Sequence, residues 1–234
     1  MPKKKRPADK HLPKGLKILY EDKDVIVVDK PAGLLTVATK TNKTQNACCF
    51  LTDYIRKGYS KSRNRIFTVH RLDQWTSGVL VFAKSEEIKL RLQDNWKETE
   101  KKYLAVVHGR LPKKEAIITS YLAENKAFVV YSTSDPKKGK LAQTAYKVLK
   151  ETPKFSLLEI TLLTGRKNQI RVHFADKGHP VVGDRKYGKP ADKFRRLALH
   201  SKSISFKHPV TGRQLTLQSE PPDYFRFLLS GCSD

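Results

Sequence analysis

Residues 67–84 read Phe67-Thr68-Val69-His70-Arg71-Leu72-Asp73-Gln74-Trp75-Thr76-Ser77-Gly78-Val79-Leu80-Val81-Phe82-Ala83-Lys84. Two β-branched and aromatic runs enclose a polar stretch that closes on a glycine, so the segment reads as strand, loop, strand. A polar loop carried between rigid strands is where binding and catalytic groups tend to be placed. Asp73 is the one carboxylate of this loop, with Arg71 and His70 beside it. A guanidinium nearby favours the ionised carboxylate, which makes Asp73 a candidate nucleophile or base near neutral pH. The same Asp73, Thr76 and Ser77 could equally be turn residues that satisfy backbone groups ahead of Gly78. The loop by itself leaves both readings open.

Working outward, LKILY and DVIVVDK (residues 16–30) predict two strands, closed by the turn Lys30-Pro31-Ala32-Gly33. Gln45 to Lys57 predicts a short helix, and RIFTV (65–69) and GVLVFAK (78–84) are the strands around the loop. Ser85 caps a helix that starts with Glu86 and Glu87 and carries Ile88, Leu92 and Trp96 on one side. KKYLAVVHG, AFVVYS, LAQTAYKVLKE and FSLLEITLL then follow as strands, and GRKNQIRVHFADKG as a helix with Ile170 and Phe174 on one face and Gly178 just past its end. LALHSKSISFKHP and GRQLTLQ predict a hairpin, and PPDYFRFLL a last helical turn. Strands with interspersed helices and no regular βαβ alternation predict an α+β fold with a largely antiparallel mixed sheet. One domain over residues 16–234 is expected, after a basic arm at 1–15.

The 234 residues hold 47 Lys+Arg against 23 Asp+Glu, a formal charge of +24. Such a surplus repels itself and calls for a polyanionic partner: nucleic acid, an acidic membrane or an acidic protein. Cys48, Cys49 and Cys232 suit neither a zinc site nor a disulfide framework, and point to a reducing compartment. No apolar run is long enough to span a membrane or act as a secretory signal. The start, PKKKRP, matches a basic import patch, but such a run also suits an arm that touches phosphates. No phosphate-binding loop, dinucleotide fingerprint or HExxH is present, so nucleotide hydrolysis, redox chemistry and zinc hydrolysis lack support.

A second motif lies at residues 165–173, GRKNQIRVH. Arg166 and Lys167 at an expected helix start would combine two cations with unpaired backbone N–H groups into an anion site. Arg171, five residues on, points to another side of the helix. Residues 165–215 hold 13 Lys/Arg against Asp176, Asp184 and Asp192 alone. Interleaved aromatics suit stacking on unpaired bases. Phe174 and Phe206 read as core, and Tyr187 as the better candidate for exposure.

Taken together, HRLDQWTSGVLVFAKS, YEDKDVIVVDKPAGLLTV, KKYLAVVHG, GKLAQTAYKVL, TGRKNQIRVHFADKGHPVVGDRKYG and LALHSKSISFKHP resemble, in order, the RluA-like pseudouridine synthases. The resemblance runs from Leu16 to Phe225, with Asn168 standing where the family more often has His. It implies the pseudouridine synthase fold with a central cleft, isomerisation of uridine to pseudouridine in structured rRNA or tRNA, and no cofactor or metal. Asp73 matches the family's essential aspartate, Tyr103 the tyrosine that packs against the target base, and Arg171 the arginine that pairs with the aspartate. Arg71 resembles the residue that enters the RNA stack when the nucleotide is flipped, and Ile170 an adjacent apolar wall. With His70, Lys101, Arg166 and Lys167, these two complete the expected RNA contacts. A cytoplasmic monomer is expected. The competing reading is a non-catalytic RNA-binding protein on the same scaffold, which has no use for a lone carboxylate among cations. A membrane-surface protein is disfavoured because no basic amphipathic helix of suitable length occurs.

Overall fold

The computed structural model describes residues 12–57, 59, 61–189 and 192–230. Most of the basic arm expected at 1–15, and Cys232, lie outside the described residues. In chain order, β1 (Lys17–Glu21) and β2 (Val25–Lys30) are followed by α1 (Ala47–Arg56), β3 (Phe67–Thr68), β4 (Ser77–Ala83) and α2 (Glu86–Asp94). Then come β5 (Glu100–His108), β6 (Glu115–Glu124), β7 (Val130–Thr133), β8 (Lys140–Glu151) and β9 (Phe155–Leu162). The chain ends with α3 (Gln169–Asp176), β10 (Leu199–Lys207), β11 (Gln214–Gln218) and α4 (Asp223–Leu229). This is the expected α+β fold. Its residues group into two compact units, one of Met1–Thr99 with Ile204–Ser219, the other of Glu100–Ser203 with Glu220–Asp234.

In the first unit the strand order is β1-β2-β4-β10, with β3 also on β4 and β11 on β10. β2 is antiparallel to both β1 and β4, pairing Val27 with Val81 and Val28 with Leu80. Val25–Val28 and Val79–Ala83 are all fully buried. An unbroken apolar run, rather than alternation, means that both faces of these strands are covered. One face packs on Ile88 and Leu92 of α2 with Ile204, Phe206 and Leu215. Ser85 caps α2 by accepting from the Ile88 N–H at 3.2 Å. Trp96 lies beyond the helix end at Asp94 yet packs against the same cluster. The strand expected over 65–69 is shorter, pairing only Phe67 and Thr68 with β4.

Among the described residues, Asp22, Asp24 and His208 bring possible metal-ligand atoms together. His208 Nδ1 accepts from the N–H groups of Val210 and Thr211 at 3.3 and 3.1 Å. The proton therefore sits on Nε2, which donates to Asp22 at 2.9 Å. Asp22 also receives the Tyr20 hydroxyl and the N–H groups of Asp24 and Val25. The cluster thus ties the β1–β2 turn to the β10–β11 turn.

In the second unit the order is β5-β9-β8-β6-β7, and the β5–β9, β9–β8, β8–β6 and β6–β7 pairs are antiparallel. β6 has no counterpart in the sequence reading. Its apolar residues Ile117, Ile118, Tyr121 and Leu122 come as adjacent pairs, with Ile117 exposed and Ile118 and Leu122 buried, so the sequence shows no strand alternation. α3 packs Val172 against Leu122, Val130 and Ala142, and buries Ile170 and Phe174 as expected. Gly178, with φ +77°, ends the helix, and the His179 N–H returns to the Phe174 carbonyl at 2.9 Å. α3 begins only at Gln169, because Asn168 takes a left-handed conformation with φ 54°. Asparagine tolerates that conformation better than most residues.

His173 of α3 is buried, with Nδ1 2.9 Å from Thr144 Oγ1 and Nε2 3.0 Å from Ser120 Oγ. Burial lowers its pKa to about 4 from 6.5, opposed by Asp176 and aided by Lys177. The unfolded chain takes up the proton first, so this contribution is complete above pH 6.5 and is lost as the pH falls towards 4. The loss amounts to roughly 3 kcal/mol. In urea denaturation, His173→Gln should therefore lose less stability than the parent between pH 7 and 4.5. Equal losses would place the acid sensitivity elsewhere. No helix among the described residues is long and apolar enough to cross a membrane.

Candidate active site

The loop between β3 and β4 is fastened to the loop after β2 by groups that reach backbone atoms. Thr36 Oγ1 donates to the Leu72 carbonyl at 2.9 Å and accepts from the Leu72 N–H at 3.3 Å. The Gly33 N–H donates to the Gln74 carbonyl at 2.9 Å, and Gln74 Nε2 donates to the Gly33 carbonyl at 3.0 Å. Beneath both loops lies Lys30, 0% exposed. Its Nζ donates to the carbonyls of Pro31, Leu34 and Gln74 at 3.0, 2.8 and 3.0 Å. An ammonium has three donors, and three carbonyls take them. Burial lowers the Lys30 pKa to about 7, with Asp73 and Asp29 acting against that fall. The half-buried Asp73 is thus carried on a clamped loop, its carbonyl closing a turn with the Thr76 N–H at 3.1 Å.

Arg71 is exposed on this loop, as a residue that enters RNA would have to be. His70 is placed differently from its expected role. Its Nε2 accepts from the Val81 N–H at 3.1 Å, and its ring lies 4.6 Å from that of Trp96. His70 is an anchor of the loop, not an outward contact, because a ring nitrogen that satisfies a strand amide is held against the sheet.

The second unit carries the other expected residues. Tyr103 and Lys101 are both buried on β5, at 7% and 8% exposure. Burial lowers the pKa of Lys101, an enclosed position for a residue expected to contact RNA. The anion site expected at Arg166 and Lys167 is also altered. Both precede the helix, and the Arg166 N–H is taken by Gln169 Oε1 at 3.0 Å. Arg166 Nε donates to the Leu141 carbonyl at 3.0 Å, and Lys167 pairs with Glu124. Gln169, 2% exposed, also accepts from Thr164 Oγ1 at 2.8 Å and donates to the Gln143 carbonyl and Thr144 Oγ1. Ile170 is buried beside it.

Arg171 is held by a partner that sequence reasoning missed. Its Nε and Nη2 donate to the two carboxylate oxygens of Asp184 at 2.7 and 2.8 Å, with the Asp184 side chain fully buried. Burial alone would raise the Asp184 pKa. The Arg171 hydrogen bond and charge, with the N–H groups of Tyr187 and Lys186, outweigh it and hold the carboxyl below its ordinary value. The guanidinium lies over the Tyr187 ring, 5.1 Å from its centroid. Tyr187 is therefore not the exposed aromatic expected. Its hydroxyl accepts from the Val130 N–H at 3.1 Å and donates to Asn168 at 3.2 Å. A bidentate pair backed by a ring fixes the guanidinium plane. The signal for Asp184 was an Asp ahead of a Gly-closed turn, since its Oδ1 caps the amides of Lys186 and Tyr187.

Comparison with known proteins identifies the family. The family profile described as RNA pseudouridylate synthase matches residues 24–176. The chain is 34% identical over 219 residues to the dual-specificity RNA pseudouridine synthase RluA of Escherichia coli (strain K12), covering 89% of this chain and 94% of that one. It is also 34% identical over 228 residues to the ribosomal large subunit pseudouridine synthase C of Buchnera aphidicola, covering 91% of this chain and 69% of the relative. Among solved structures, human RNA pseudouridylate synthase domain containing 4 has the same fold, with a TM-score of 0.74 at 22% identity over 92% of each chain. The chain belongs to the RNA pseudouridylate synthase family, among its RluA-like members.

Proposed function

We propose that the chain converts uridine to pseudouridine at particular positions of structured rRNA or tRNA, acting in the cytoplasm as a monomer without cofactor or metal. Asp73 attacks the ribose or deprotonates it, the bond from C1′ to N1 breaks, and the uracil turns and rejoins through C5. N1 gains a proton as C5 loses one, so the reaction is an isomerisation that consumes no co-reactant. Tyr103 packs on the target base, and Arg171 supports the aspartate. Arg71 fills the stack that the flipped nucleotide leaves, a step that costs a few kcal/mol, and the cations of residues 165–215 offset that cost through phosphate contacts. The observation that carries this reading is Asp73 on a loop pinned from below by the buried Lys30. A non-catalytic RNA-binding protein would need neither the carboxylate nor its clamp, and both relatives named above are synthases.

Carbodiimide mapping of pseudouridine across rRNA and tRNA, from cells with and without the gene, tests activity and target together. The expected result is the loss of one or a few sites in the deletion strain and their return with the wild-type gene. Identical maps would overturn the reading.

A further inference from the structure

Trp75 stands two residues after Asp73 and is 51% exposed. One side of its indole is seated on the Gly33 backbone. Gly33 has φ +90°, and a Cβ built there would lie 3.3 Å from Trp75 Cζ3. Glycine thus serves twice, by allowing the left-handed turn and by letting the ring approach the backbone. The seat is rigid, since Gly33 and Gln74 exchange two hydrogen bonds and the Lys30 ammonium holds the carbonyls around them. An aromatic held in this way loses little freedom when a second planar group covers it.

The loop's other exposed residues are Arg71 and Gln74, a cation and an amide. An apolar protein partner would want further apolar surface beside the indole, and the loop offers none. A cation and an aromatic on either side of a carboxylate suit single-stranded RNA, in which phosphate and base alternate. We propose that Trp75 is a stacking platform for an unpaired base next to the nucleotide acted on by Asp73. This rests on the RNA-modifying reading above and adds to it a residue that selects for a flanking nucleotide able to leave its own stack.

The chain has two tryptophans, and the other, Trp96, packs against His70 and the core of the first unit. Trp96→Phe therefore leaves Trp75 as a lone emitting reporter. A single-stranded RNA dodecamer of mixed sequence should quench its emission strongly and shield it from acrylamide. Heparin, a polyanion without bases, should bind the basic protein and leave emission and shielding close to the free values. Equal responses to both polyanions, or no response to RNA, would overturn the proposal. In turnover assays Trp75→Ala should raise KM about tenfold, the size of one stacking contact, with the loss falling in KM more than in kcat. Trp75→Phe should restore most of it, and an unchanged KM in the Ala variant would also sink the idea. If wild-type protein modifies no RNA yet the RNA quenches Trp75 selectively, the catalytic reading fails and the platform stands.

Discussion

Asp73→Asn is expected to lower pseudouridine formation by at least about a thousandfold, the scale seen when an enzyme loses a nucleophile or a general base. Asparagine keeps the shape of the side chain but neither attacks a sugar carbon nor takes up a proton near neutral pH. The loop should survive the change, because its fastenings are made by Thr36, Gln74 and Lys30 to backbone atoms. RNA affinity should stay within a few fold of the parent, since the carboxylate opposes phosphate binding and does not assist it. A release assay with uridine tritiated at C5 reads the activity, and filter binding of the same RNA reads the affinity. Activity that persists in the Asn variant would remove Asp73 from the chemistry. A matching collapse of affinity would instead make it a structural part of the RNA surface.

Much of the first unit could be read from the chain because its signals are local. The fully buried β2 and β4 are continuous apolar runs, and Ser85 announces α2 through a cap three residues long. The helix at Gln169 was expected too early, because the stretch GRKN has no apolar residue to mark where periodicity begins, and a left-handed Asn168 leaves no cap signature. Lys30 was legible only as a turn residue. Lysine is almost never fully buried, and its acceptors are main-chain carbonyls, one of them 44 residues away, that leave no mark in side-chain chemistry. Asp184 has the same difficulty, since its pairing with Arg171 spans 13 residues through a turn whose charged residues read as solvent-facing. His70 and Lys101 are the reverse case: both types suggest contact with RNA, yet His70 accepts from a strand amide and Lys101 is buried on β5. Motifs thus mark the candidate residues, while the groups that hold them in place are long-range contacts to backbone or to a buried partner.

Lys30→Met separates holding the loop from stabilising the fold. Removing the ammonium orphans the carbonyls of Pro31 and Leu34, at a cost of about 1–3 kcal/mol each. It also removes a buried charge, whose penalty the fall in pKa from 10.5 to about 7 puts at roughly 5 kcal/mol. The two effects are of similar size and opposite sign, so near pH 7 net stability should stay within about 2 kcal/mol of the parent. Turnover should fall by about a hundredfold or more, because a displacement of an ångström or so at Asp73 is enough for that. Titration adds a signature. Between pH 7 and 10.5 the unfolded chain keeps the Lys30 proton that the folded chain has released, so wild-type stability should rise with pH relative to Lys30→Met over that window. Urea midpoints at pH 7 and 9.5, measured beside kcat, test both halves. Unchanged turnover would show that the loop presents Asp73 without the clamp, and parallel pH profiles would mean that Lys30 keeps its charge in the folded protein throughout.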